Sequence, residues 1–351
     1  MARNAEALDL VELLPRYGLE NYKPNIEINL FGRLYSAPIA IAPMGMPGMV
    51  WPGGEEIFAK ASHKARIPFT LSTAAGATIE RITELAPDTT WFQLYRMPHN
   101  NLEMNFDLVK RAKSTGVHVL ILTLDVPART KRPRELRNQL TIPYKPGLHT
   151  LIDVLPHPGW MLALARHGHN SFANYKKYTN KKLSGYELAK FARQRSGGTF
   201  SWKEVSQFRD AWPGPLVVKG ILHPNDAEKA VSVGVDGVVV SNHGGRQLEG
   251  APATVDVLPA VVNAIGKEAT ILFDSGIRSG LDVVRVMALG AKAALSGRPF
   301  MYGLGALGVQ GADHVVNYYT EEISAAMRQI GVHNIQECNN IVIRHENALK
   351  F

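Results

Sequence analysis

At 351 residues the chain could hold two ordinary domains or one (β/α)8 barrel with an insertion. A composition 45% hydrophobic and 20% charged excludes a disordered or fibrous chain and implies a large buried core. The net charge of +8 favours anionic partners, but Lys and Arg are scattered and show no zinc-finger, homeodomain or RNA-motif spacing, so small anions fit better than nucleic acid.

Short apolar runs recur along the chain, each followed by a stretch with helical spacing, which predicts parallel strands covered by helices. In order they are Pro38–Ala42, Phe69–Ser72, Trp91–Leu94, Val119–Thr123, Leu216–Lys219, Gly237–Ser241, Thr270–Asp274 and Ala293–Ser296. Eight such units predict an α/β fold of the (β/α)8 TIM-barrel class, one barrel domain over 1–351. Ser72, Gln93, Thr123, Lys219, Ser241, Asp274 and Ser296 end these runs, and in a barrel the C-terminal strand ends converge on one site.

Between the fourth and fifth runs, residues 143–200 form an irregular insertion, too long for an ordinary βα loop, and so read as a lid or surface-attachment segment. Its stretch Leu155–Arg166 joins an apolar face to positive charge at Lys176, Lys177, Lys181 and Lys182, the pattern of an interfacial segment, although a loop packed on the barrel rim fits equally. Ser201-Trp202-Lys203-Glu204 reads as a capping box, Pro224 opens the helix after the fifth strand, and a last helix over about Leu304–Ile330 closes the barrel. Cys338, the single cysteine, excludes an internal disulfide and a cysteine-based metal cluster and reads as a buried apolar side chain. No metal site is expected. The N-terminus lacks a signal-peptide pattern and no apolar run reaches spanning length, so a cytoplasmic location, at most with peripheral membrane contact, is expected.

The seventh run leads into Asp274-Ser275-Gly276-Ile277-Arg278 and the eighth into Ser296-Gly297-Arg298-Pro299. Glycines let backbone N–H groups approach an anion, and arginines grip phosphate oxygens in pairs, so these two loops predict a phosphate site. The sixth run ends in Ser241-Asn242-His243-Gly244-Gly245-Arg246. There a histidine able to take a proton stands three residues before an arginine able to hold a carboxylate, which suits a 2-hydroxy acid.

That segment, with Phe92-Gln93-Leu94-Tyr95, Leu122–Pro127, Val218-Lys219-Gly220 and Gly297-Arg298-Pro299, resembles the FMN-dependent 2-hydroxy acid oxidases and dehydrogenases, among them glycolate oxidase, lactate oxidase and mandelate dehydrogenase. The resemblance runs from about Pro15 to the C-terminus. It implies that His243 is the catalytic base, with Asp125 hydrogen-bonded to it. Arg246, Arg132 and Tyr95 would hold the substrate, and Lys219 would lie against the flavin N1–C2=O edge. Ser72, Gln93 and Thr123 would contact the isoalloxazine, with the Pro43-Met44-Gly45 backbone beside its reactive face and Ser241 nearby. Asp274, Gly276, Arg278, Gly297 and Arg298 would bind the FMN phosphate end. The reaction implied is oxidation of an (S)-2-hydroxy acid to the 2-oxo acid, with electrons passing to O2, a quinone or a carrier, and the family's homotetramer implies a homo-oligomer.

The family also has a carboxylate-binding tyrosine in an N-terminal helix ahead of the segment matching Met1. It has no counterpart here, so either the chain starts late or Arg246, Arg132 and Tyr95 suffice. Ala74 stands where glycolate oxidase has tryptophan, and Met44-Gly45 where the family has Thr-Ala, which implies a substrate bulkier than glycolate. Two other readings keep the barrel and FMN: an isomerase-like chemistry, and a flavin binder with impaired turnover.

Overall fold

The computed structural model describes residues 2–128, 130, 137, 147–179 and 183–351. Eight strands, β1 (Ile39–Met44), β2 (Phe69–Ser72), β3 (Thr90–Leu94), β4 (Val119–Thr123), β5 (Leu216–Ile221), β6 (Gly237–Val240), β7 (Thr270–Asp274) and β8 (Ala293–Ser296), close into a barrel in chain order. Every neighbouring pair is parallel, including β8 with β1. Strands such as Val119–Thr123 and Gly237–Val240 are buried along their whole length, because barrel side chains on one face and helices on the other cover both sides. This is why they read as continuous apolar runs instead of alternating.

A short antiparallel pair, Ile28–Leu30 with Arg33–Tyr35, closes the N-terminal end. Phe31 at its turn packs edge-on against Trp91, near the start of β3, and a Cβ added to Gly237 at the start of β6 would lie 2.9 Å from the Phe31 ring. Trp91 donates its indole N–H to the Tyr35 hydroxyl over 3.1 Å. With that end plugged, the opposite, C-terminal end is left for chemistry.

The helices follow the local signals. Ser201 caps the helix Trp202–Ala211 in a full capping box with Glu204, and Pro224 begins the helix Pro224–Ser232. Cys338 is fully buried, and burial pushes its thiol up to about 12. The closing helix over Leu304–Ile330 is instead two, Arg298–Leu307 and Gly311–Ile330. The break is at Gly308, whose φ of 55° and close approach to the Trp51 ring leave no room for a Cβ.

The insertion expected to be irregular is largely helical where described: Leu148–Val154, Pro158–His167, the 3-10 segment Ala173–Tyr178 and Gly185–Arg195. Phe172 and Tyr175 are buried, Ala173 N–H donates to the Ala75 carbonyl, and Asn174 Oδ1 accepts from Ile79 N–H. The segment therefore braces the loop that leaves β2. Its helical content escaped the sequence reading because Pro, Gly and His punctuate short helices held by contacts with the barrel. Lys181 and Lys182 lie outside the described residues.

Candidate active site

At the C-terminal end the strands bring three polar groups together. The first runs across β2, β3 and β4: Ser72 Oγ donates to Gln93 Oε1 over 2.9 Å, and Gln93 Nε2 donates to Thr123 Oγ1 over 2.8 Å. All three side chains are buried; Ser72 pairs in register with Gln93, and Thr123 lies two residues beyond Ile121, the register partner of Gln93.

The second group centres on Lys219 of β5. Its ammonium lies 2.9 Å from Asp274 Oδ2 and donates to Ser241 Oγ over 2.8 Å. Burial opposes its charge, but Asp274 and Asp125 outweigh burial and raise its pKa, so the lysine stays cationic. The carboxylates keep the ammonium charged, and that buried cation can donate to a ligand edge that accumulates negative charge.

The third group contains His243, whose Nδ1 lies 2.8 Å from Asp125 Oδ1. Burial of Asp125 favours its neutral form, but the Lys219 charge and the His243 hydrogen bond outweigh it and hold the carboxyl below the ordinary range. An ionised carboxylate only accepts, so Nδ1 carries the hydrogen and neutral His243 keeps Nε2 as its basic atom. That Nε2 lies 3.4 Å from the Tyr95 hydroxyl. Two unusual backbone positions support this pair. His243 adopts a left-handed φ of 57°, and Gly220, at φ 104°, passes so close to Asp125 that an added Cβ would lie 2.5 Å from the Asp125 Cβ.

Arginines gather at the far end. Burial first, then the charges of Arg278 and Arg246, pull the Arg298 pKa down. Such crowding is relieved by an anion placed among them. Arg298 also donates to the Gly244 carbonyl over 2.9 Å, tying the arginine group to the His243 loop. Gly276, at φ 107°, packs against the N-terminal helix, and a Cβ on Gly297 would make ordinary contact with Met44 Sδ at 3.4 Å. The donor set therefore fits FMN: the arginines could hold its phosphate, and the polar side chains of Ser72, Gln93, Thr123 and Lys219 could line its ring.

Gly45 and Ala74 adjoin: a Cβ on Gly45 would lie 3.7 Å from that of Ala74. Arg132 lies outside the described residues. Ser296, grouped with the convergent strand ends by its position, turns away, its buried hydroxyl 2.7 Å from that of Tyr319 in the closing helix. Ser275 was missed by the sequence reading. Its Oγ donates to Asp274 Oδ1 and accepts from the N–H groups of Asn242 and Gly244, joining the β7 end to the His243 loop. Only its place directly after β7 could have signalled it. Among the described residues no cluster of His, Cys, Asp and Glu could hold a metal ion.

A closed parallel barrel with a His–Asp pair, a buried lysine and a phosphate-fitting arginine group at its C-terminal end defines a flavin-type oxidoreductase barrel. Residues 1–345 match the family of FMN-dependent dehydrogenases, and the chain belongs to that family. It is 37% identical over 320 residues to an L-lactate dehydrogenase of Pseudomonas syringae pv. syringae, covering 91% of this chain and 83% of that protein. It is 35% identical over 350 residues to an L-lactate dehydrogenase of Acinetobacter baylyi, covering 99% and 90%. The solved structure of the monotopic membrane protein (S)-mandelate dehydrogenase superimposes with a TM-score of 0.90 at 34% identity, covering 98% of this chain and 91% of that one. A mandelate oxidase with (S)-4-hydroxymandelic acid gives a TM-score of 0.82 at 31% identity, covering 98% and 90%. The protein is an FMN-dependent oxidoreductase of 2-hydroxy acids.

Proposed function

We propose that the chain oxidises an (S)-2-hydroxy acid bulkier than glycolate, with His243 as the base, and passes the electrons to a membrane-borne quinone or carrier. The observation that supports the base most directly is the 2.8 Å contact of His243 Nδ1 with Asp125, which leaves Nε2 basic beside Tyr95. Converting CH–OH to C=O releases two electrons and two protons. Bound FMN would supply the acceptor for the two electrons and for the second proton.

His243 Nε2 takes one proton, and the Asp125 carboxylate stabilises the imidazolium that results. Arg246 and Arg132 hold the substrate carboxylate, with Tyr95 hydrogen-bonding nearby and fixing the reacting carbon. Lys219 stabilises negative charge at the ring edge. Arg278 and Arg298, with the Gly276 and Gly297 backbone, would hold the phosphate end, while Asp274 and Ser241 hold the Lys219 ammonium.

Ala74 beside Gly45 leaves the substrate side without a large ring, in keeping with relatives named for lactate and mandelate. Among the described residues no helix is long and apolar enough to cross a membrane. Ile152, Leu155, Met161 and Leu162 of the insertion are nonetheless exposed, with Arg166, His167 and Lys176 close in sequence, which supports peripheral contact with an anionic membrane surface. The test is anaerobic mixing with glycolate, L-lactate and (S)-mandelate, followed by either O2 or a quinone analogue. Bleaching fastest with glycolate sinks the substrate reading, and reoxidation faster with O2 than with the quinone sinks the acceptor reading.

A further inference from the structure

The loop from Ser241 to Thr254, which carries both His243 and Arg246, is held by a residue more than two hundred positions away in sequence. Asn4 sits in the N-terminal helix Ala2–Asp9 and is buried. Its Nδ2 donates to Asn242 Oδ1 over 2.8 Å, and Asn242 Nδ2 donates back to Asn4 Oδ1 over 2.8 Å. Asn242 Oδ1 also accepts from Gly245 N–H, closing the turn in which His243 takes its left-handed conformation.

The other end of the loop meets the same side chain. The helix Thr254–Ile265 begins after Ala253, which has no side-chain oxygen to cap it, and Asn4 Oδ1 accepts from Thr254 N–H over 3.3 Å. Asn4 thus bridges the first turn of the loop and its last residue. Its neighbour Arg3 donates to the Ala251 carbonyl over 2.8 Å, and the helix sits so tightly on β7's exit that a Cβ on Gly276 would lie 2.7 Å from the Asn4 carbonyl.

We infer that Asn4 is a positioning residue for the oxidation: by pairing with Asn242 and Thr254 it fixes the Ser241–Thr254 loop, and through it the aim of His243 Nε2. The inference rests on His243 being the base. A primary amide suits the position because it accepts from two donors and donates to one acceptor at once, all in a buried site where an unpaired group is costly. An aspartate keeps both accepted bonds but sets a carboxylate oxygen against the acceptor Asn242 Oδ1, whereas an alanine loses all three bonds.

The test compares the FMN-loaded wild type with Asn4→Ala and Asn4→Asp. Flavin reduction is measured per bound flavin at saturating hydroxy acid, and amide hydrogen exchange is measured over the whole chain. Since small displacements of a catalytic group cost up to about a hundredfold, Asn4→Ala and Asn4→Asp should each reduce flavin at least about tenfold more slowly with FMN retained. Exchange should rise in peptides covering 241–254 and stay unchanged in those covering 293–307.

A per-flavin rate within about twofold of wild type for both variants, or exchange rising equally throughout, overturns the inference and leaves Asn4 a purely structural residue. Should Asn4→Ala not fold, the rate and local exchange of Asn4→Asp decide the matter by the same criteria. If wild-type flavin is not reduced by any hydroxy acid, the proposed function has failed, while the exchange pattern still reports whether Asn4 holds the loop.

Discussion

His243 Nδ1 and Asp125 Oδ1 stand 2.8 Å apart although 118 positions separate them, one at the exit of β6 and the other at the exit of β4. The contact assigns the imidazole hydrogen and makes Asp125 the group that holds a positive His243. Asp125→Asn should therefore lower the rate of flavin reduction by about 10²- to 10⁴-fold without releasing FMN. Stopped-flow absorbance with the flavin-to-protein ratio checks this, and a rate near wild type would show that the carboxylate is dispensable.

The same carboxylate predicts a pH effect on stability. Its folded pKa is depressed, so its contribution is present above the ordinary carboxylate value of about 4 and is lost as pH falls through the folded value. Denaturant midpoints of wild type and Asp125→Asn should converge as pH falls below that value. A gap independent of pH would contradict it.

Gly220→Ala should be damaging out of proportion to one methyl group. The position combines φ 104° with a virtual Cβ 2.5 Å from Asp125, so the substitution should cost at least about 1–3 kcal/mol and displace the Asp125 side chain. Thermal melting and the reduction rate should fall together.

Arg298→Ala should act on FMN retention more than on chemistry. Removing a charge-assisted phosphate contact costs about 1.5–3 kcal/mol, or roughly 10- to 100-fold in flavin affinity, measured by fluorescence titration of the apoprotein. The Arg298 bond to Gly244 O predicts a smaller secondary effect on the reduction rate.

His118, at the entry of β4, has its pKa pulled to about 4, by burial first and then by Arg33. The folded state resists protonation there while the unfolded chain binds a proton below about 6.5, so this stability is fully present above pH 6.5 and is lost on going down towards 4. The loss amounts to about 3 kcal/mol at most. His118→Asn should flatten the pH dependence of unfolding in that window, and an unchanged slope would remove the assignment.

The barrel was legible because its strands are continuous apolar runs with polar ends, and Ser201 and Pro224 marked helix starts by local chemistry. The two loops proposed for phosphate stood out for a similar reason, their glycines and arginines lying within a few residues of each other. What escaped was set by contacts distant in sequence. The Gly308 break exists because Trp51 occupies the space, the Ser296 hydroxyl goes to Tyr319, and Asn4 reaches Asn242 only once the barrel has formed. His243 was visible as a candidate base, but its left-handed backbone and the Gly220 approach that seats Asp125 have no local signature.

The most direct test of the base assignment is anaerobic mixing of FMN-loaded wild type and His243→Ala with L-lactate and (S)-mandelate while the visible flavin band is followed. Wild type should bleach fully with at least one acid, and the variant should retain its flavin yet bleach at least about 10²-fold more slowly. Equal bleaching rates in the two proteins would contradict the assignment of His243 as the base.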